Sequence, residues 1–228
     1  MIRWTTTRAL AQNQGVKILV IGPSGVGKTK LCGTAPRPLI ITSESRTQSL
    51  ADEDLPTAVV RTFAELGDVY QWLATSAEAT CIDTCCIDSL SDLCEALLAS
   101  LKPQYKDIRK AYYDLADAVP PWVRAFRDLP GKHVVMVAKQ DWIKDEATGG
   151  CKYGPMMPGR QLGPQLPYWF DEVFRMGIGQ GSDGKKFRFV QTEADTQYDV
   201  KDSSGKLAPY EEPNLTAIIN KIIGGARA

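Results

Sequence analysis

Short apolar runs alternate along this chain with longer stretches whose apolar residues recur every three or four positions. The runs are Val16 to Ile21, Pro38 to Thr42, Ala58 to Thr62, Thr84 to Asp88 and Val134 to Ala138. The first four are mostly β-branched or apolar at consecutive positions, which suits strands covered on both faces rather than strands with one wet side. Between the runs, Lys28 to Thr34, Thr62 to Thr75 and Ser89 to Leu101 carry helical spacing, as in Leu90, Leu93, Leu97 and Leu101. This rhythm predicts parallel strands joined by crossover helices, an α/β fold with a mainly parallel sheet flanked by helices.

The second half changes texture. Gln104 to Leu129 has a helical pattern, but Pro120-Pro121 removes two backbone donors, so the spacing predicts two helices there. Lys139 to Pro167 is crowded with glycine and proline and reads as a long, flexible, irregular loop, the kind of segment that in compact domains tends to be functional. Glu172 to Ile178, a Gly-Ser-Asp-Gly turn at Gly181 to Gly184, and Lys186 to Thr192 predict a C-terminal β-hairpin. Leu215 to Ile223 predicts a short amphipathic helix within a tail spanning 205–228.

The 228 residues, 43% hydrophobic, suffice for one domain over 1–228 that includes a polar N-terminal segment at 1–15 and has no internal repeats. Lysine plus arginine equals aspartate plus glutamate at 27 each, so no global field draws the molecule to nucleic acid or an anionic membrane; any such binding must be local. The N-terminus lacks a signal-type apolar stretch and no run approaches the ~20 residues that span a bilayer, so a cytoplasmic protein without a membrane partner is expected. Cys32, Cys81, Cys85, Cys86, Cys94 and Cys151 form no paired CxxC pattern and His133 is the single histidine, so buried, reduced thiols are expected rather than structural zinc.

Gly22-Pro-Ser-Gly-Val-Gly-Lys-Thr29 fits G-x-x-x-x-G-K-[ST] and lies between an apolar strand and a helix, the context in which that pattern has a mechanism. Its glycines let backbone amides converge on phosphates at the positive end of the following helix. The expected nucleotide contacts are Gly22, Pro23, Ser24, Gly25, Val26, Gly27, Lys28, Thr29 and Lys30, with Lys28 on the β and γ phosphates and the Thr29 hydroxyl on Mg²⁺. The cofactors expected are therefore ATP and Mg²⁺.

Such a loop needs a second acid for the metal's water shell, usually an aspartate ending a neighbouring apolar strand. Asp88 stands there; it also suits a helix-capping role before Ser89, and Asp83 is a rival that precedes the strand. For the attacking water, Glu44 just beyond Pro38 to Thr42 is the candidate general base, its alternative being a solvated glutamate in a turn. Gln140, beyond Val134 to Ala138, is a candidate γ-phosphate sensor or an ordinary surface glutamine.

The order GPSGVGKT, a strand ending near Glu44, CCIDS and VVMVAKQ resembles the bacteriophage RecA-like P-loop ATPases, core-only RecA proteins of single-strand annealing and recombination. The resemblance covers roughly Val16 to Thr192. It implies that Glu44 activates water and that Gln140 couples nucleotide to DNA. Thr42 departs from the pattern, since related chains often carry another acid two residues before that glutamate. The resemblance further implies an ATPase that binds single-stranded DNA through the loop after Gln140, with Lys144, Lys152 and Arg160 as contacts. It also implies self-association into a ring or filament and a single-strand-binding protein as a further partner. A second basic patch interleaves Lys102, Lys106, Arg109 and Lys110 with Tyr105, Tyr112 and Tyr113; both patches also read as plain solvated surface. In such a ring or filament, Lys185, Lys186 and Arg188 on the hairpin are expected to reach a neighbour's nucleotide, as any exposed hairpin would allow. Two other classes stay open, a small-molecule phosphotransferase and a nucleotide-dependent assembly factor that binds protein instead of DNA.

Overall fold

The computed structural model describes residues 4–6, 9, 14–44, 48–144 and 149–224. Ten strands form one sheet among them: β1 (Lys17–Gly22), β2 (Pro38–Thr42), β3 (Thr57–Val59), β4 (Thr84–Ile87), β5 (His133–Lys144), β6 (Cys151–Pro155), β7 (Glu172–Gln180), β8 (Lys186–Gln191), β9 (Lys201–Asp202) and β10 (Tyr210–Glu211). The order is β10-β8-β7-β1-β5-β4-β2-β3, with β6 paired to β5 and β9 to β7. Pairing is parallel from β7 through β1, β5, β4 and β2 to β3, and antiparallel at the β8, β10, β6 and β9 additions. The expected α/β class, a mainly parallel sheet with flanking helices and a C-terminal β-hairpin, is the fold the chain adopts.

The continuous apolar strands are buried on both faces because each face has its own helices. Leu19, Ile21, Cys85 and Ile87 pack with α2 (Phe63–Thr75), α3 (Leu90–Leu101) and α4 (Ile108–Arg127). Ile18, Val20, Ile40 and Val135 pack on the other face with α1 (Lys28–Gly33) and α6 (Leu215–Ile223). Local chemistry sets the helix starts. Thr62 and Glu65 form a reciprocal capping box on α2, while Ser89, Asp107 and Asn214 cap α3, α4 and α6. Thr62, expected to end a strand, caps α2 instead.

Two expectations are corrected. Pro120 and Pro121 lie inside one continuous helix, α4, rather than between two. The carbonyls they orphan belong to Ala116 and Asp117, which are partly or fully exposed and can be served by water, while Ala111, Leu115, Val119, Val123 and Phe126 keep an unbroken buried stripe. The stretch 139–167 is not an irregular loop throughout. β5 continues six residues past Ala138 and returns as β6, pairing Gln140 with Pro155 and Lys144 with Cys151, followed by the short helix α5 (Leu162–Gln165). Its backbone needs are met by strand pairing, and Trp142 and Tyr153 stack across the hairpin with ring centroids 3.9 Å apart. Residues 145–148 of that stretch lie outside the described residues.

Of the six cysteines, Cys32, Cys85, Cys86 and Cys94 are buried, but Cys81 and Cys151 are exposed, against the expectation of burial for all. No helix among the described residues is long and apolar enough to cross a membrane.

Candidate nucleotide site

Parallel strands leave their carboxyl ends in one crevice, the usual seat of ligands in open α/β sheets. Here β1 delivers the segment from Gly22, β2 delivers Glu44, β4 delivers Asp88 and β5 delivers Lys139 and Gln140. Gly22 pairs with Lys139 in the sheet register, so the phosphate-binding loop and the β5 lip are adjacent.

The loop requires its glycines. Gly25 and Gly27 have φ of 74° and 107°, and a Cβ at Gly22 would lie 2.8 Å from the Met176 carbonyl oxygen. Pro23, Ser24 and Gly25 are exposed at the loop tip while Val26 is buried beneath it. The Lys28 ammonium donates to the carbonyls of Gly22 at 2.8 Å and Pro23 at 2.7 Å, so it lies folded across the loop. Burial pushes the Lys28 ammonium down from its ordinary range, against the pull of Asp88 and Asp92. Lys30, on α1, is exposed.

Asp88 follows the last residue of β4, its peptide to Ser89 is cis, and the Thr29 hydroxyl is near enough to favour its charged form. Burial raises the Asp88 carboxyl; the Thr29 hydrogen bond and Lys28 oppose that, while Asp92 and Glu44 add to it. Glu44 is therefore within electrostatic reach of Asp88, though exposed, with its amide on the Thr42 hydroxyl. The sequence-predicted Lys28, Thr29, Asp88 and Glu44 are brought together. Asp83 is not among them, because it pairs at the surface with Arg37.

A magnesium ion held between protein and phosphates needs only one or two protein oxygens. The adjoining Thr29 hydroxyl and Asp88 carboxylate fit that role. Among the described residues no group of three or more His, Cys, Asp or Glu side chains could hold a metal alone.

Sequence reasoning missed Asp92 and Lys139. Asp92 sits one helical turn beyond Asp88, its amide capped by Ser89, and it accepts the Lys139 ammonium at 2.5 Å. The signal was present as Ser89-x-x-Asp92, a capping pattern directly after the metal candidate. Ser91 was missed as well: its buried Oγ accepts the Lys139 amide at 2.9 Å and donates to the Met156 carbonyl at 2.6 Å. Gln140, beside Lys139, has a buried Oε1 without a hydrogen-bond partner among the described residues.

The outer candidates divide. Lys144 is exposed and Lys152 pairs with Asp199 on the β5–β6 hairpin. Lys106, Arg109 and Lys110 are exposed at the start of α4, with Arg109 paired to Asp107 at 2.9 Å. Arg160, predicted as part of the same loop as Lys144 and Lys152, instead lines a groove with Arg109. Arg188, expected to serve a neighbour, bonds to the carbonyl of Val26 in its own phosphate loop.

Comparison with known proteins adds the following. The model of the AAA domain family AAA_24 matches residues 14–204. No curated protein matches this sequence. Among solved structures, a KaiC-like protein from the hyperthermophilic archaeon Pyrococcus horikoshii is similar at 13% identity and a TM-score of 0.41, over 78% of this chain and 79% of that one.

Proposed function

This chain belongs to the AAA domain family of P-loop ATPases, and from that premise we propose that it hydrolyses ATP with Mg²⁺ to control its binding to single-stranded DNA, promoting annealing or strand pairing. The observation that carries the nucleotide part is the phosphate loop at the end of β1, with the Lys28 ammonium folded across its Gly22 and Pro23 carbonyls, and Asp88 at the end of β4, whose charged form Thr29 and Lys28 both favour. Backbone amides of Gly25 to Thr29 bind the phosphates and Lys28 leaves its loop carbonyls to neutralise the terminal ones. The metal, when bound, neutralises charge on the phosphate oxygens. Glu44, at the end of β2, orients and deprotonates the attacking water.

The DNA part is supported by Gln140, on the strand that also carries Lys139; its buried side-chain oxygen has no hydrogen-bond partner among the described residues. A buried amide oxygen left unbonded calls for an explanation, and a side chain that changes partners with nucleotide state supplies one. Self-association on DNA into a ring or filament, and cooperation with a single-strand-binding protein, belong to the same reading.

The test is ATP turnover with and without single-stranded DNA over a range of salt concentrations, alongside Lys28→Ala and Asp88→Asn. The expectation is turnover lost in both variants and stimulated by DNA at low salt in the wild type. Turnover indifferent to both substitutions would remove the nucleotide assignment; turnover without DNA stimulation or binding at low salt would remove the DNA assignment.

A further inference from the structure

Away from the phosphate loop, a groove of about 300 Å³ runs between the start of α4 and the turn at Pro158–Gln161. Arg109, Tyr112, Tyr113 and Ala116 line one wall at helical i, i+3, i+4, i+7 spacing, and Arg160 stands on the other. Tyr113 is 63% exposed, uncommon for a ring that size, and Tyr112 is 39% exposed with the Lys102 ammonium 5.8 Å from its centroid. Arg160 has no ion-pair partner among the described residues. Lys106 and Lys110 are exposed on the same segment; Asp107 pairs with Arg109 at the surface, Asp114 accepts the Tyr105 hydroxyl, and Asp117 is exposed one position beyond Ala116. In a chain of zero net charge, this is a local concentration of cations around exposed aromatic rings.

We propose that this groove is the single-strand track, Arg109 and Arg160 holding successive phosphates while Tyr112 and Tyr113 stack on bases; this rests on the DNA-binding reading above. A duplex offers its phosphates to arginines but keeps its base faces stacked on one another, so exposed tyrosines between two guanidinium groups favour a single strand. The groove also hangs from the nucleotide site. The turn begins just after Met156, whose amide donates to the Lys139 carbonyl at 2.7 Å and whose carbonyl is held by Ser91. The same Lys139 carries the ion pair to Asp92, so a change at the phosphates has a short, hydrogen-bonded route to the Arg160 wall.

The experiment is fluorescence anisotropy of a dye-labelled oligothymidylate against the full chain, in a salt series, for wild type, Arg109→Ala/Arg160→Ala, Tyr113→Ala and Lys144→Ala/Lys152→Ala. Thermal melts of each variant verify folding. Loss of two phosphate contacts is expected to weaken binding at least ten-fold and to reduce the slope of log affinity against log salt by about 1.4. Tyr113→Ala is expected to weaken it roughly five- to one-hundred-fold with little change in slope. If the wild type binds and both groove variants bind equally well, with the loss confined to Lys144→Ala/Lys152→Ala, the groove assignment is overturned while DNA binding stands. Equal affinity for a duplex of the same length overturns the single-strand track. If the wild type fails to bind at low salt, the DNA reading falls and the groove assignment falls with it.

Discussion

Arg188 donates from Nε to the main-chain carbonyl of Val26 at 2.8 Å, joining β8 to the phosphate loop across 162 residues of sequence. Its side chain lies over Gly27, where an added Cβ would come within 3.1 Å of the guanidinium. The bond turns one loop carbonyl toward a cation and helps keep the neighbouring amides free to face phosphate.

Arg188→Ala is therefore expected to weaken ATP binding within the same molecule, by about three- to ten-fold given the exposure of the arginine and the usual ~1–2 kcal/mol of such a bond. Mixing Arg188→Ala with Lys28→Ala protein is the decisive measurement. At limiting ATP, turnover in the mixture no greater than that of the Arg188→Ala protein alone fits an arginine acting on its own loop; turnover raised above it means the arginine serves a neighbouring subunit.

Glu44 is exposed and close enough to Asp88 to bias its protonation, a position from which it can reach water but contributes little packing. Glu44→Gln should keep ATP affinity within a few-fold while lowering turnover roughly a hundred-fold or more. Parallel loss of binding and turnover in calorimetry and phosphate-release assays would contradict the assignment.

Ser91 bridges Lys139 to Met156 with a single hydroxyl. Ser91→Ala should leave the oligothymidylate binding of the nucleotide-free protein within a few-fold, yet remove the change in that affinity on adding ATP. The part-buried carbonyl and amide it leaves unpaired should also lower stability by about 1 kcal/mol, read by urea titration. An undiminished ATP response would show that coupling runs elsewhere.

Glu172 is buried beside Asp202, and burial together with that neighbour raises its carboxyl to about 8. Burial works to raise Asp202 as well, but hydrogen bonds from Ser204, the Leu207 amide and Glu172 hold it below its ordinary range. The native state thus keeps a proton on Glu172 that the unfolded chain releases near its ordinary value of 4.5. Stability from this proton is complete below that value and falls as pH rises through the window to about 8, by an amount on the order of a few kcal/mol. Glu172→Gln should flatten the fall in denaturant midpoints between about pH 5 and 8; an unchanged slope would count against it. Lys17, lowered to about 8 by burial, acts in the opposite sense above that pH.

The parts of the site carried by short sequence patterns were legible in advance. A glycine loop, a following Lys-Thr pair and an acid at a strand end are contiguous signals whose geometry follows from strand and helix formation. The place of Glu44 near Asp88 was legible only from its position just beyond Pro38 to Thr42. Asp92 was not, because an aspartate in the first turn of a helix reads as an ordinary cap until Lys139 arrives from β5. The proline pair misled because a helix break depends on whether the orphaned carbonyls face water or core, and that is a property of how α4 packs. Likewise the glycine- and proline-rich stretch after Ala138 conceals strands whose pairing partner lies in the same stretch.

Period and spacing alone determined the α/β class, the two-sided burial of the central strands and the phosphate loop, since each depends on residues within a few positions of one another. Tertiary structure alone decided the strand order, the meeting of Arg109 with Arg160, the turn of Arg188 onto its own loop and the Ser91 bridge. Those contacts join segments tens of residues apart, and chain reversal in three dimensions leaves no local signature from which their pairing could be read.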